Sequence, residues 1–184
     1  WLKKPDRVRA LLYGAYAIAI AFVSFGVALL AVYFRMPVAL GIALLAASLT
    51  VALIWVALSF CGAVRDYRGV TIAFAVGLIT SVLLGVTAAV AGLGAASIAW
   101  GFVSGLVLTF MLLTLRVLDV FIGPLDRPEV GFEMILGGFR TYGHLAFGAL
   151  VGTAAVWIDK WIFWFSPIGE TVAGGLVHAP LYDS

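Results

Sequence analysis

The chain has 184 residues, of which 64% are hydrophobic and 11% are charged, and its formal net charge is +2. Soluble domains contain about 45–50% apolar and about 25% charged residues, so this composition argues against a water-soluble globule. The single cysteine, Cys61, excludes an internal disulfide and any zinc cluster built on several cysteines. We therefore predict an all-α integral membrane protein.

Five apolar stretches have the length of a membrane-spanning helix, which needs about 20 residues. Pro37 separates the first two stretches, and a short charged loop at 65–69 follows the second. The uncharged run from 70 to 115 is too long for one span, so we place a turn at its Gly-Leu-Gly sequence, 92–94. The predicted spans are 10–34, 38–64, 70–91, 95–122 and 141–165.

Basic residues lie mostly on one side of the membrane if these spans alternate in direction. Only Arg35 and Lys160, of the 11 lysines and arginines, lie on the opposite side. Cytoplasmic loops carry an excess of such residues, so we expect the start of the chain to be cytoplasmic. The residues on the predicted cytoplasmic side are Lys3, Lys4, Arg7, Arg9, Arg65, Arg68, Arg116, Arg127 and Arg140.

Two segments show further patterns. The connector at 123–140 mixes acidic and apolar residues, which is compatible with a short amphipathic helix on the cytoplasmic face. Gly101 and Gly105 form a small-xxx-small pair on the fourth span, and Gly148 and Gly152 form another on the fifth. Such pairs allow close approach of two helices, so we expect both faces to contact protein.

The fifth span carries an acid and a base near its far end, Asp159 and Lys160. A helical wheel places Asp159 on the face of Gly148 and Gly152, opposite a tryptophan-rich face suited to the headgroup level. Asp159 would then point into a bundle or a wet cavity. Either the pair marks the membrane interface, or it lines a transport pathway.

Three other ionisable groups are candidates. Arg116 and Asp119 are three residues apart on the fourth span, a spacing that permits either a local ion pair or substrate contact. His144 lies at the inner end of the fifth span, as an interface residue or a proton-sensing group. The sequence contains no phosphate-binding loop, no paired metal-binding histidines and no serine nucleophile elbow, so we predict no enzyme, cofactor or metal site.

Two stretches carry a resemblance to a known family. GFEMILGGFRTYG at 131–143 and WIDKWIFWFSP at 157–167 resemble the PelG family, inner-membrane exporters of the Pel exopolysaccharide in bacterial biofilms. The Asp-Lys pair before a glycine-bearing loop and a tyrosine is also similar to polysaccharide flippases of the multidrug/oligosaccharidyl-lipid/polysaccharide superfamily. The chain departs from that pattern in a longer loop and in Pro180-Leu181-Tyr182-Asp183, where Gly-x-Tyr is usual.

The resemblance implies a bacterial inner-membrane transporter with about twelve helices in two lobes that alternate access to a central cavity. On that map the chain is a middle fragment: 1–122 ends the first lobe, 123–140 links the lobes, and 141–184 starts the second. Asp159, Lys160, Arg116 and Asp119 would line the pathway, and His144, Tyr182 and Asp183 would serve a gate or interface.

The implied partners are membrane lipids, a polysaccharide and other Pel synthesis and export proteins, with no nucleic acid. Two other functions remain open at this stage. One is a non-transporting membrane scaffold for a polysaccharide synthesis complex, which needs no polar cavity between lobes. The other is a membrane enzyme acting on a lipid-linked substrate, which needs a second acid or base near Asp159.

Overall fold

A computed structural model describes residues 5–35, 37–121, 128–166, 170–172 and 176–178. Within these ranges five helices are long and apolar enough to cross a membrane, which confirms the predicted class. Their boundaries lie within a few residues of the predicted spans, except at the start of the first helix and in the connector. The helices are α1 Pro5–Tyr33, α2 Val38–Ala63, α3 Tyr67–Val90, α4 Gly94–Val120 and α5 Pro128–Trp164.

The turns between helices follow local chemistry. Pro37 lies directly before α2, where its missing N–H does not interrupt the helical ladder. The turn after α3 has Gly92 in the left-handed region at φ 66°, and the N–H of Leu93 donates to Ala88 O at 3.1 Å. The turn after α2 has the same hydrogen-bond pattern, but its left-handed residue is Arg65 at φ 59°.

Helices α3 and α4 approach each other so closely that only small residues fit between them. A Cβ atom added to Gly101 would lie 2.8 Å from the backbone N of Gly85, and one added to Gly105 would lie 2.6 Å from the N of Ser81. The hydroxyl of Ser81 donates to Phe102 O at 3.0 Å across the same contact. The predicted small-residue face of the fourth helix therefore contacts a matching face of α3.

Helices α1 to α4 form a group, hereafter the four-helix group. Its core lies where α4 meets α1 and α2. Leu113 and Val117 of α4 are fully buried there. They pack with residues of α1 and α2 that recur every three or four positions, the spacing of one helix face. These residues are Val8, Leu12 and Tyr16 of α1 and Ile54, Ala57 and Cys61 of α2.

Helix α5 covers most of the predicted connector and the predicted fifth span as two helical segments that meet at a kink. Pro128 begins it, a position where proline is well tolerated. Tyr142 has non-helical angles, φ −118° and ψ 17°, so the helix is kinked there. The kink lies one residue after the start of the predicted fifth span, and the first turns of α5 pack on α1, where Gly131 meets the backbone of Ala10.

The chain divides into two compact units, Trp1–Ile135 and Leu136–Ser184. The second unit also contains an antiparallel hairpin of strands β1 (Glu170–Val172) and β2 (Leu176–His178), with Glu170 opposite His178. Pairing of the two strands, in which Val172 lies opposite Leu176, gives their backbone N–H and C=O groups hydrogen-bond partners.

Candidate functional site

Charged and polar side chains gather at the end of the four-helix group where α1 and α3 begin and α2 and α4 end, hereafter the basic end. Asp66, in the turn between α2 and α3, makes two contacts there. Its Oδ1 accepts a hydrogen bond of 3.0 Å from the N–H of Gly69, which caps α3. Its Oδ2 lies 3.7 Å from Nε of Arg116 near the end of α4.

The ion pair of Arg116 differs from the one that its spacing permits. The local pair with Asp119, one of the two alternatives, does not form between these described side chains, and Arg116 approaches Asp66 of the α2–α3 turn instead. The side chain of Arg116 is 48% exposed and that of Asp66 is 27% exposed, so solvent weakens their attraction. The pair therefore orients α4 against the turn more than it stabilises the fold.

A second basic side chain binds the end of α4. Arg9 donates from a guanidinium nitrogen to the carbonyl oxygen of Leu118 at 3.0 Å. Leu118 lies in the last turn of α4, whose carbonyl groups lack partners within the helix. A cation is also favourable at that position because the helix dipole is negative there. Arg9 thus ties the first turns of α1 to the end of α4.

Tyr16 makes a second link between α1 and α4, farther from the basic end. Its hydroxyl lies 2.8 Å from Oγ1 of Thr114, and its ring meets that of Phe110 edge-on at 5.5 Å between centroids. A hydrogen bond between helices in a membrane contributes about 0.6 kcal/mol on average. Together with Arg9 and Asp66, Tyr16 holds the last two turns of α4 in place.

Sequence patterns did not single out these linking residues. Asp66 belongs to the charged loop at 65–69, although an aspartate shortly before an apolar helical run is also a signal for a helix N-cap. Arg9 was counted only toward membrane orientation. Tyr16 and Thr114 stand 98 positions apart, so no local spacing could have paired them.

The fifth helix carries the remaining predicted pathway residues, in the second unit. The ammonium group of Lys160 lies 5.4 Å from the centroid of the Trp157 ring, a cation–π contact one turn apart. Asp159 is helical, but its side chain lies outside the described part of the structure. Tyr182 and Asp183 lie outside the described residues altogether.

The small-residue face of α5 differs from that of α4 in its surroundings. A Cβ added at Gly148 or Gly152 would meet nothing within 4 Å among the described residues. The expected protein contact at that face stays a prediction. His144, one turn before Gly148, is exposed.

The described residues hold no group of three or more His, Cys, Asp or Glu side chains that could bind a metal ion. Comparison with known families gives one match, over residues 1–184, to a family model described as "PelG: Putative exopolysaccharide Exporter (EPS-E)". No curated protein and no solved structure shows significant similarity to the chain.

Proposed function

The chain belongs to the PelG family of exopolysaccharide exporters, and from this membership we propose that it is part of a secondary transporter that moves the polysaccharide across the bacterial inner membrane. The observation that carries the proposal is the family match over residues 1–184 of a multi-pass membrane protein with five apolar helices. Transport of a polar polymer through a bilayer needs a wet path between helices, and polytopic bundles supply one.

The arrangement of helices supports a division into two lobes. Helices α1 to α4 pack on one another, and on the small-residue face of α5 no described residue lies within 4 Å of a Cβ added at Gly148 or Gly152. In our proposal 1–122 ends one lobe, 123–140 links the lobes, and 141–184 begins a second lobe whose further helices cover that face. The start of the chain is on the cytoplasmic side.

Each candidate residue has a proposed role. Asp159 lines the outer part of the pathway, and Lys160 anchors that level of the helix through Trp157. Arg116 and Asp119 contribute to the inner gate, where the contact of Arg116 with Asp66 holds α4. His144, Tyr182 and Asp183 belong to a gate or an interface. The protein acts without catalysis of its own and alongside other Pel synthesis and export proteins.

The test replaces Asp159 by Asn in the full-length protein and measures secreted polysaccharide. Export should fall about tenfold, because loss of a charged contact worth about 1.4 kcal/mol at a rate-limiting step has that effect. Polymer should then accumulate inside the cell while membrane insertion is unchanged. Glu170→Gln, which removes an exposed acid of the hairpin, is the matched control and should export normally.

The scaffold alternative gives a different result. A protein that only holds synthesis partners would export normally with Asp159→Asn. Reversing an exposed charge in the first turns of α5, Glu133→Lys, would instead lower total polymer without internal accumulation. That pattern would overturn the transporter proposal.

A further inference from the structure

A groove separates α1 from α2 at the end of the four-helix group opposite the basic end. The two helices pack through Leu12 and Ala57 near the basic end but leave a cavity of about 340 Å³ between their far ends. The lining residues are glycine or have apolar side chains, so they offer no hydrogen-bonding side chain to a sugar. Its walls include Val27, Ala31, Val32, Val38, Ile42 and Leu45.

An arginine lies next to one end of this groove. Arg35 is in the short turn that joins α1 to α2, between the lining residues Val32 and Val38. It is exposed, and its φ of 49° is left-handed, a region that disfavours residues with a Cβ atom. Glycine would suit that backbone better, as at Gly92, so a cationic side chain is held where the local geometry does not favour it.

We propose that the groove binds one acyl chain of a glycerophospholipid and that Arg35 binds its phosphate. A fixed cation at the membrane interface, next to an apolar channel running inward, complements the two parts of such a lipid. From Val38 to Leu45 the groove extends about 10 Å along α2, which is long enough for a substantial part of an acyl chain. The apolar walls bury the hydrocarbon while the guanidinium offers paired N–H donors to phosphate oxygens.

The basic end provides a natural comparison. Arg65, in the turn between α2 and α3, is also exposed, and its backbone is in the left-handed region at φ 59°. The groove next to Arg35 is lined only by residues between Val27 and Leu45 and does not reach Arg65. Arg35 and Arg65 therefore share charge and backbone geometry, but of the two only Arg35 lies in the turn next to this groove.

The experiment uses the full-length protein in liposomes that contain a phosphatidylglycerol with a photoreactive acyl chain. After irradiation, labelled peptides are mapped, and the segment 27–45 should be labelled more strongly than exposed positions of α3. Arg35→Gln should reduce that labelling about fivefold, the effect of one arginine on lipid attraction near a membrane surface. Arg65→Gln should leave it unchanged, and labelling by a diacylglycerol, which lacks phosphate, should not respond to Arg35→Gln.

A second pair of variants tests the groove itself. Among the described residues, a Cβ added at Gly41 meets only Ala31 Cβ, at 4.0 Å, so Gly41→Leu should fill the groove and abolish the preferential labelling. Gly26→Leu is the control, because no described residue lies within 4 Å of a Cβ added there. Ala31→Val serves if Gly41→Leu inserts poorly. Two results would overturn the proposal. One is uniform labelling that does not change with the Arg35 and Gly41 variants. The other is protection of 27–45 from every lipid probe, which would mean that a helix covers the groove.

Discussion

The tight contact between α3 and α4 makes Gly105 the most informative position for mutation. In Gly105→Ala the new Cβ would lie 2.6 Å from the backbone N of Ser81, whereas ordinary contact begins at 3.4 Å. The clash is with backbone, so the helices must separate rather than a side chain rotate. The separation also lengthens the 3.0 Å hydrogen bond from Ser81 to Phe102 O.

The expected loss follows from these two effects. Overpacking of a tight interface destabilises by about 1–3 kcal/mol. The weakened interhelical hydrogen bond adds about 0.6 kcal/mol. Because alanine favours helix over glycine by about 1 kcal/mol, the net decrease in unfolding free energy should be about 2 kcal/mol.

The assay is reversible unfolding of the full-length protein in mixed micelles, followed by tryptophan fluorescence. Gly85→Ala on α3 is the matched control because a Cβ there meets nothing within 4 Å. It should be neutral or slightly stabilising. If Gly105→Ala is as stable as Gly85→Ala, the two helices are not in backbone contact and the reasoning is wrong.

Substitutions at two positions test the basic end by the same unfolding measurement. Asp66→Asn removes the attraction to the half-exposed Arg116 but keeps a capping oxygen for Gly69 N–H. It should therefore lower the free energy of unfolding by less than about 1 kcal/mol. Asp66→Ala also removes the cap and should lower the free energy of unfolding by about 1 kcal/mol more. Equal losses in both variants would mean that the cap contributes nothing. Arg65→Gly should stabilise by about 0.5–1 kcal/mol because glycine relieves the left-handed strain at φ 59°. Arg65→Ala removes the same charge but keeps the Cβ, so a similar gain in that variant would contradict the strain argument.

Much of the architecture could be predicted from local sequence. Hydrophobic length determines whether a segment can cross a bilayer, because every backbone polar group inside it must be paired within the helix. The breaks at Pro37 and Gly92 follow from the restricted angles of proline and the free angles of glycine. The small-residue face of the fourth helix, with Gly101 and Gly105, was also visible as a spacing.

Which residues contact these helix faces and charged groups depended on the tertiary structure. The face of α3 that contains Ser81 and Gly85 meets α4 because of the rotation and register of two helices, which neither helix encodes alone. Arg116 pairs with Asp66, 50 positions away, rather than with nearby Asp119, because the end of α4 packs beside the α2–α3 turn.

The fifth helix shows the same division. Its apolar length and its Asp159–Lys160 pair are properties of the sequence. The kink at Tyr142, which divides α5 into two helical segments, appears only in the folded chain. Hydrophobicity and backbone preference act over a few neighbouring residues, so sequence determines where helices form. Which faces meet, and which charged groups find one another, depends on packing between segments that are distant in the chain.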